Sequence, residues 1–217
     1  MPLQMSKPTK QPTRTRPFWQ SCWSARSVVV VEVNGYEIAP RARLTKADLA
    51  GADLSGADFE RAVLIQAELS ETSLTGANLH QSDIRWANLS GADVSESNLR
   101  EAHLNGAKLS GSDCHGSDFA EASLHGADLR SSNFRETNLT GAYLVQTNFT
   151  GASLRGARLV DACLWQANLE ETDLSEADLT GASLWRANLR GAIATEGTVW
   201  PGSFDPAAAG VVQGSDD

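Results

Sequence analysis

Four histidines, three cysteines and a recurrent column of aspartates are the residues that could do chemistry in this chain. His80, His103, His115 and His125 would serve as general bases or metal ligands only if an acid or a nucleophile converged on them. No His-Ser-Asp set and no pair of His with one acid lies at a spacing that brings them together. Cys22, Cys114 and Cys163 are far apart and form no CxxC pair or even-numbered disulfide framework, which points to a reducing compartment. Neither GxxxxGK[ST] nor GxSxG occurs. The chain is therefore expected to be no enzyme, with no catalytic residues, no cofactor and no metal.

The elements that position these residues announce themselves through an internal repeat. From Ala47-Asp48-Leu49-Ala50-Gly51 to Ala187-Asn188-Leu189-Arg190-Gly191 the chain runs 29 pentads without an insertion or a deletion. The third place is Leu in 22 of them and otherwise Phe59, Ile84, Val94, Cys114, Phe119, Phe134 or Phe149, all suited to an apolar interior. The first place is Ala in 20 and Ser or Thr in the other nine, so it is uniformly small.

A period of five is wrong for a helix. At about 100° per residue each Leu would be turned about 140° from the last, and no stripe would form. Within a pentad, however, the small residue and the third-place centre are two apart, the same-side spacing of a strand, and the next same-side residue follows after three. The extra residue is a corner. Gly fills the fifth place in 13 pentads, as expected where the chain turns with φ > 0. A chain that keeps turning coils upon itself, burying one centre per side, which is a β-solenoid.

The tandem A-[D/N]-L-x-x pattern resembles the pentapeptide-repeat family, in its Ala/Leu type common in cyanobacterial proteins. That resemblance covers about two-thirds of the chain and implies an all-β right-handed quadrilateral β-helix, about seven coils and about 34 Å long at the strand spacing. Thr198-Val199-Trp200-Pro201, Phe204-Asp205-Pro206 and Ala209-Gly210 resemble the closing segment of such proteins.

The outward aromatics support four sides independently. Trp86, Tyr143, Trp165 and Trp185 flank the centres Ile84, Leu144, Leu164 and Leu184, which differ by multiples of 20. A 20-residue coil puts all four on one side, together with Val63, Ile65, Val145, Cys163, His103 and His125. Large exposed apolar patches mark binding sites, and Trp, Tyr and Arg are typical interface anchors. The candidate protein-contact face is thus Val63, Ile65, Trp86, Tyr143, Val145, Trp165 and Trp185. Its occupant would be an unidentified protein partner, a second copy forming a homodimer, or the chain's own basic head; plain stacking of rings along the ladder is the alternative.

Charge is unevenly divided. Residues 1–46 hold eight Lys/Arg against Glu32 and Glu37, whereas residues 47–217 hold ten against twenty-five acids. The body would repel nucleic acid unless it imitates it. Asp48, Asp53, Asp58, Asp83, Asp93, Asp113, Asp118, Asp128, Asp173 and Asp178 all take the outward second place. They could imitate a duplex, as is thought for the family members that protect DNA gyrase from quinolones, or simply keep the fold soluble as solvated residues. The centres depart from the Phe-rich pattern of those gyrase-binding members, whose pentads often carry Cys two places before the centre. The leading expectation is a non-catalytic protein-binding or scaffold module; the alternative is an acidic DNA-mimic rod that binds gyrase or another nucleic-acid-binding protein. A third reading, implied by the family resemblance alone, is a regulatory role in a cyanobacterium or plastid.

Outside the repeat, Asn34-Gly35 between β-branched runs predicts a type I′ hairpin capping the first coil within residues 28–46. Residues 192–210 are expected to cap the other end, with Trp200 and Phe204 as plug and a short helix from Asp205 to Gly210. Residues 1–27 and 211–217 are expected to be disordered. No run approaches the roughly 18 apolar residues of a membrane span. A cytoplasmic location follows, or a plastid or thylakoid one if the basic, acid-free residues 1–27 are a targeting sequence.

Overall fold

A computed structural model describes residues 31–214. Residues 1–27 with Cys22, residues 28–30 of the expected cap, and 215–217 lie outside them. The described residues contain no helix. From Arg43↔Val63 to Asp173↔Ile193, parallel β-bridges join each second-place residue to the one 20 residues on. Four pentads therefore make one turn of the chain. The register already includes Arg43 and the buried Leu44, so the ladder begins inside the segment assigned to the N-terminal cap.

Each pentad is built the same way. Leu64 N–H donates to the Asp83 carbonyl at 2.7 Å and Asp83 N–H to the Ala62 carbonyl at 2.9 Å, tying one turn to the next. Ala67 N–H then donates back to the Leu64 carbonyl at 3.0 Å, closing the corner as a β-turn. All 29 fifth-place residues have φ between 55° and 71°, including sixteen that are not glycine, such as Glu71, Gln81 and Trp86. With the fourth place at negative φ, this is the φ pattern of a type II turn. A left-handed residue with a Cβ costs roughly 1–2 kcal/mol, which the surrounding ladder of hydrogen bonds and buried centres must offset.

First and third places point inward and are buried throughout most of the rod; Phe119, Phe134 and Phe149 form a chain with ring centroids 5.3 and 5.9 Å apart, the first pair tilted and the second edge-on. All nine first-place hydroxyls are satisfied by centre carbonyls: Thr137 Oγ1, for example, donates to the Cys114 carbonyl at 2.8 Å. Small hydroxyl residues thus substitute for Ala without leaving a buried polar atom unpaired.

Cys114 is itself a centre, fully buried, and its thiol is pushed up to about 12 chiefly by that burial. Only the thiolate is a nucleophile. Its alkylation should therefore occur only after the rod opens, and mass-spectrometric labelling in a denaturant series should show Cys114 modified in step with global unfolding.

Both ends are covered. Strands β1 (Val31–Val33) and β2 (Tyr36–Ile38) pair antiparallel around Asn34 and Gly35, whose φ values of 52° and 83° suit a type I′ turn. Val33 and Tyr36 pack against the core. At the far end Trp200 and Phe204 stack at 5.1 Å against it.

Two expectations are corrected there. The segment from Asp205 to Gly210 is a single turn, not a short helix: Ala209 N–H reaches the Asp205 carbonyl at 3.2 Å and the Asp205 carboxylate accepts Ala208 N–H at 3.1 Å. Gly210 at φ 82° ends it at once. Residues 212–213, expected in a disordered tail, form β4 (Val212–Gln213), parallel to β3 (Ile193–Ala194). The last turn leaves that backbone edge unpaired, and the tail satisfies it.

Candidate functional site

The side predicted to bear the aromatics does bear them. The bridges Arg43↔Val63, Val63↔Asp83, Asp83↔His103, His103↔Ser123, Ser123↔Tyr143 and Tyr143↔Cys163 run as one column along a single side. Trp86, Tyr143, Trp165 and Trp185 are 55%, 58%, 44% and 52% exposed. Val63, Ile65, Val145 and Cys163 are half-buried.

The seven candidates form two groups on that side. Tyr143, Val145, Trp165 and Trp185 occupy three consecutive turns, with the Trp165 and Trp185 rings 5.1 Å apart and tilted by 46°. The Arg186 guanidinium lies 4.1 Å from the Trp185 ring centroid, a cation–π contact. Val63, Ile65 and Trp86 sit toward the other end. Trp86 rests against the corner of the next turn, where a Cβ on Gly106 would come within 2.6 Å of the indole Cδ1. Between the groups lie two turns carrying His103, Asn105, Ser123 and His125.

Charge sets this side apart. Among its outward places in the described residues Asp83 is the one acid, while Arg43, Lys46, Arg85 and Arg186 are basic. Arg85 grips Asp83 at 2.7 and 2.8 Å and lies over Trp86 at 5.5 Å. The other three sides carry twenty acids against eight basic residues over 47–191.

The aspartate column has a structural role that sequence reasoning missed. Every one of the ten second-place Asp accepts the N–H of the residue two places on, at 3.0–3.4 Å. The eight second-place Asn do the same. These are Asx-type contacts that hold the chain entering the corner. Asn side chains also bridge to the preceding turn, as Asn133 to Asp113 at 2.9 Å.

Several of these carboxyls are held below the ordinary Asp range. The Arg85 guanidinium does this for Asp83 and Arg130 for Asp128; the Thr180 hydroxyl does it for Asp178. At Asp93 burial works the other way, and hydrogen bonds from Ser95 and Thr75 outweigh it. A carboxyl with a depressed folded-state pKa stabilises the fold above its unfolded value, and that contribution is lost as pH falls through the folded value. Denaturation midpoints should hence be flat near neutrality and drop below the usual Asp range near 3.9, and Asp128→Asn should lessen the drop.

The histidines do not converge. His80 and His115 each place Nδ1 3.0 Å from a backbone carbonyl of the following turn, and His103 pairs along the ladder with Asp83 and Ser123. Among the described residues no group of three or more His, Cys, Asp or Glu is arranged to hold a metal ion. No helix there is long and apolar enough to cross a membrane.

The family model for pentapeptide repeats matches in eight copies, over segments 42–81, 57–95, 97–135, 132–164 and 164–193. This chain belongs to the pentapeptide repeat family. No curated protein matches its sequence. Among solved structures, this pentapeptide repeat chain is similar to HetL, a pentapeptide repeat protein involved in heterocyst differentiation regulation from the cyanobacterium Nostoc sp. strain PCC 7120. That match has 30% identity over 74% of this chain and 86% of HetL, with a TM-score of 0.39. It is similar to Rfr23 from the cyanobacterium Cyanothece 51142 at 37% identity, over 45% of this chain and 63% of that one, TM-score 0.24. QnrB1, a plasmid-mediated fluoroquinolone resistance protein, shares 16% identity over 79% of this chain and 89% of its own, TM-score 0.37.

Proposed function

We propose that this pentapeptide repeat protein is a non-catalytic protein-binding module, a right-handed four-sided β-helix of about seven coils whose aromatic side is the contact face. One observation carries the reading: the Trp165 and Trp185 rings pack against each other at a tilt while each stays about half exposed. Two neighbouring indoles left in water are costly, since burying a large apolar side chain is worth roughly 1.5–3 kcal/mol. Covering them by a partner recovers that energy, and Trp with Arg186 beside it is the residue chemistry of an interface hot spot.

Affinity capture by the wild-type chain and by Trp165→Ser, Trp185→Ser tests this. Ser already stands at the equivalent fourth place in Ser55, Ser70 and Ser90, so the corner tolerates it. A bound protein lost in the double variant, with circular dichroism unchanged, supports the face; equal capture by both sinks it.

The runner-up is the acidic rod that occupies gyrase or another nucleic-acid-binding protein. The clustering of acids on three sides favours it, while the commitment of all ten second-place Asp to turn contacts weakens it. A complex of that kind should dissolve in moderate salt, and one that persists at high salt would not be mimicry.

A further inference from the structure

We infer that the segment docking on the aromatic side is acidic and helical: an amphipathic helix from another protein, apolar on one stripe and rich in Glu or Asp around it. This rests on the aromatic side being the contact face and adds the chemistry of its occupant. Charge is the first argument. In a chain of net charge −9, this one side has basic residues at Arg43, Lys46, Arg85 and Arg186, and its single acid among the described residues, Asp83, is already bound by Arg85. An acidic segment is thereby steered to this side and repelled by the other three.

The same distribution argues against the other occupants. Residues 1–30 hold five Lys or Arg and no acid, so the head shares the sign of this side and is drawn to the acidic ones. A second copy docked face to face in antiparallel fashion would bring Arg43 and Lys46 of one protomer toward Arg186 of its partner. A nucleic acid chain would run on past the strip and meet the acidic sides flanking it.

Spacing supplies the second argument. The side offers side chains rather than backbone, because its bridge residues are paired along the ladder and an added strand finds no free edge there. Its rows repeat at roughly the 4.8 Å of neighbouring strands. Successive turns of an α-helix lie about 5.4 Å apart, so a helix laid along the rod sets one apolar residue per row over Tyr143 with Val145, Trp165 and Trp185. Its flanking carboxylates then meet Arg186.

The test uses the full chain and two labelled peptides of about five helical turns, one with a Leu stripe amid Glu and the other with the same stripe amid Lys, beside a labelled single-stranded oligonucleotide. Fluorescence anisotropy is read at low salt. The Glu peptide should bind and the Lys peptide should not; Arg186→Glu should weaken binding at least about tenfold, and the Trp165→Ser, Trp185→Ser pair should abolish it. Glu already occupies the left-handed fifth place at Glu71, Glu96 and Glu171, so Arg186→Glu does not disturb the corner.

Equal binding of both peptides, lost only in the Trp pair, would overturn the acidic partner and leave the contact face standing. Binding of the oligonucleotide in place of the Glu peptide would overturn the inference in favour of nucleic acid. No binding, with a Trp-dependent dimer in sedimentation, would assign the side to a second copy; no binding by a monomer would remove the face and its partner together.

Discussion

Phe134→Ala should remove about 3–5 kcal/mol from the folding free energy, seen as a matching fall in the urea midpoint. Phe134 is fully buried, and its ring is 5.3 Å from Phe119 and 5.9 Å from Phe149, which belong to other sides of the same rod. The centres beside it on its own side are Cys114 and Leu154, as the bridges Asp113↔Asn133 and Asn133↔Ser153 establish. Ala at 134 would thus stand next to the short Cys114, leaving two small centres in succession and a cavity that the rigid ladder cannot close. Phe134→Leu, which restores the residue found at most centres, should cost under about 1.5 kcal/mol. Phe134→Asp should prevent folding, because an isolated buried carboxylate has no partner inside this core.

The size of that loss bears on cooperativity. In a solenoid each turn touches only its neighbours, so damage at one turn either unfolds the whole rod or splits it into two. The three phenylalanines span more than one turn and bind the two halves together at this point. A single transition in Phe134→Ala would mean that the remaining interfaces still couple the halves; two transitions would locate the weak joint at residues 114–134.

Much of this was legible in the sequence because the repeat is strict. The inward pair of places, the corner and the 20-residue return all follow from spacing, and four aromatics sufficed to place one side. Sixteen non-glycine corners were less legible: Glu71 or Gln81 alone gives no hint of φ > 0, and the conformation is imposed by the ladder on both sides of it. The turn role of the Asp column had a usable signal. Asp or Asn fills the second place in eighteen pentads, always three residues before the corner, which is the composition of an Asx contact. The strand at Val212–Gln213 left no pattern, since two residues satisfying an edge have no periodicity.

Ending the chain after Thr195 should convert the protein from its native size distribution to large assemblies, measured by light scattering on gel filtration. The segment removed carries the Trp200–Phe204 stack, and also Ala209 and Val211, all packed on the core. Without it Leu184, Leu189 and Ala192 of the last turn meet water. The backbone suffers equally: Val212 N–H donates to the Ala192 carbonyl at 2.7 Å and Gly214 N–H to the Ala194 carbonyl at 2.8 Å. Freed together, these carbonyls and the apolar end form a flat template that another rod can match, which is the general hazard of an uncovered strand edge. Trp200→Ala, Phe204→Ala separates the two causes, since it uncovers the apolar end while leaving β4 in place. Assembly in the truncated chain but not in this variant would assign the hazard to the edge; assembly in both would assign it to the exposed core. A truncated chain of unchanged size would mean that the last turn protects itself, and the cap would then owe its presence to something other than solubility.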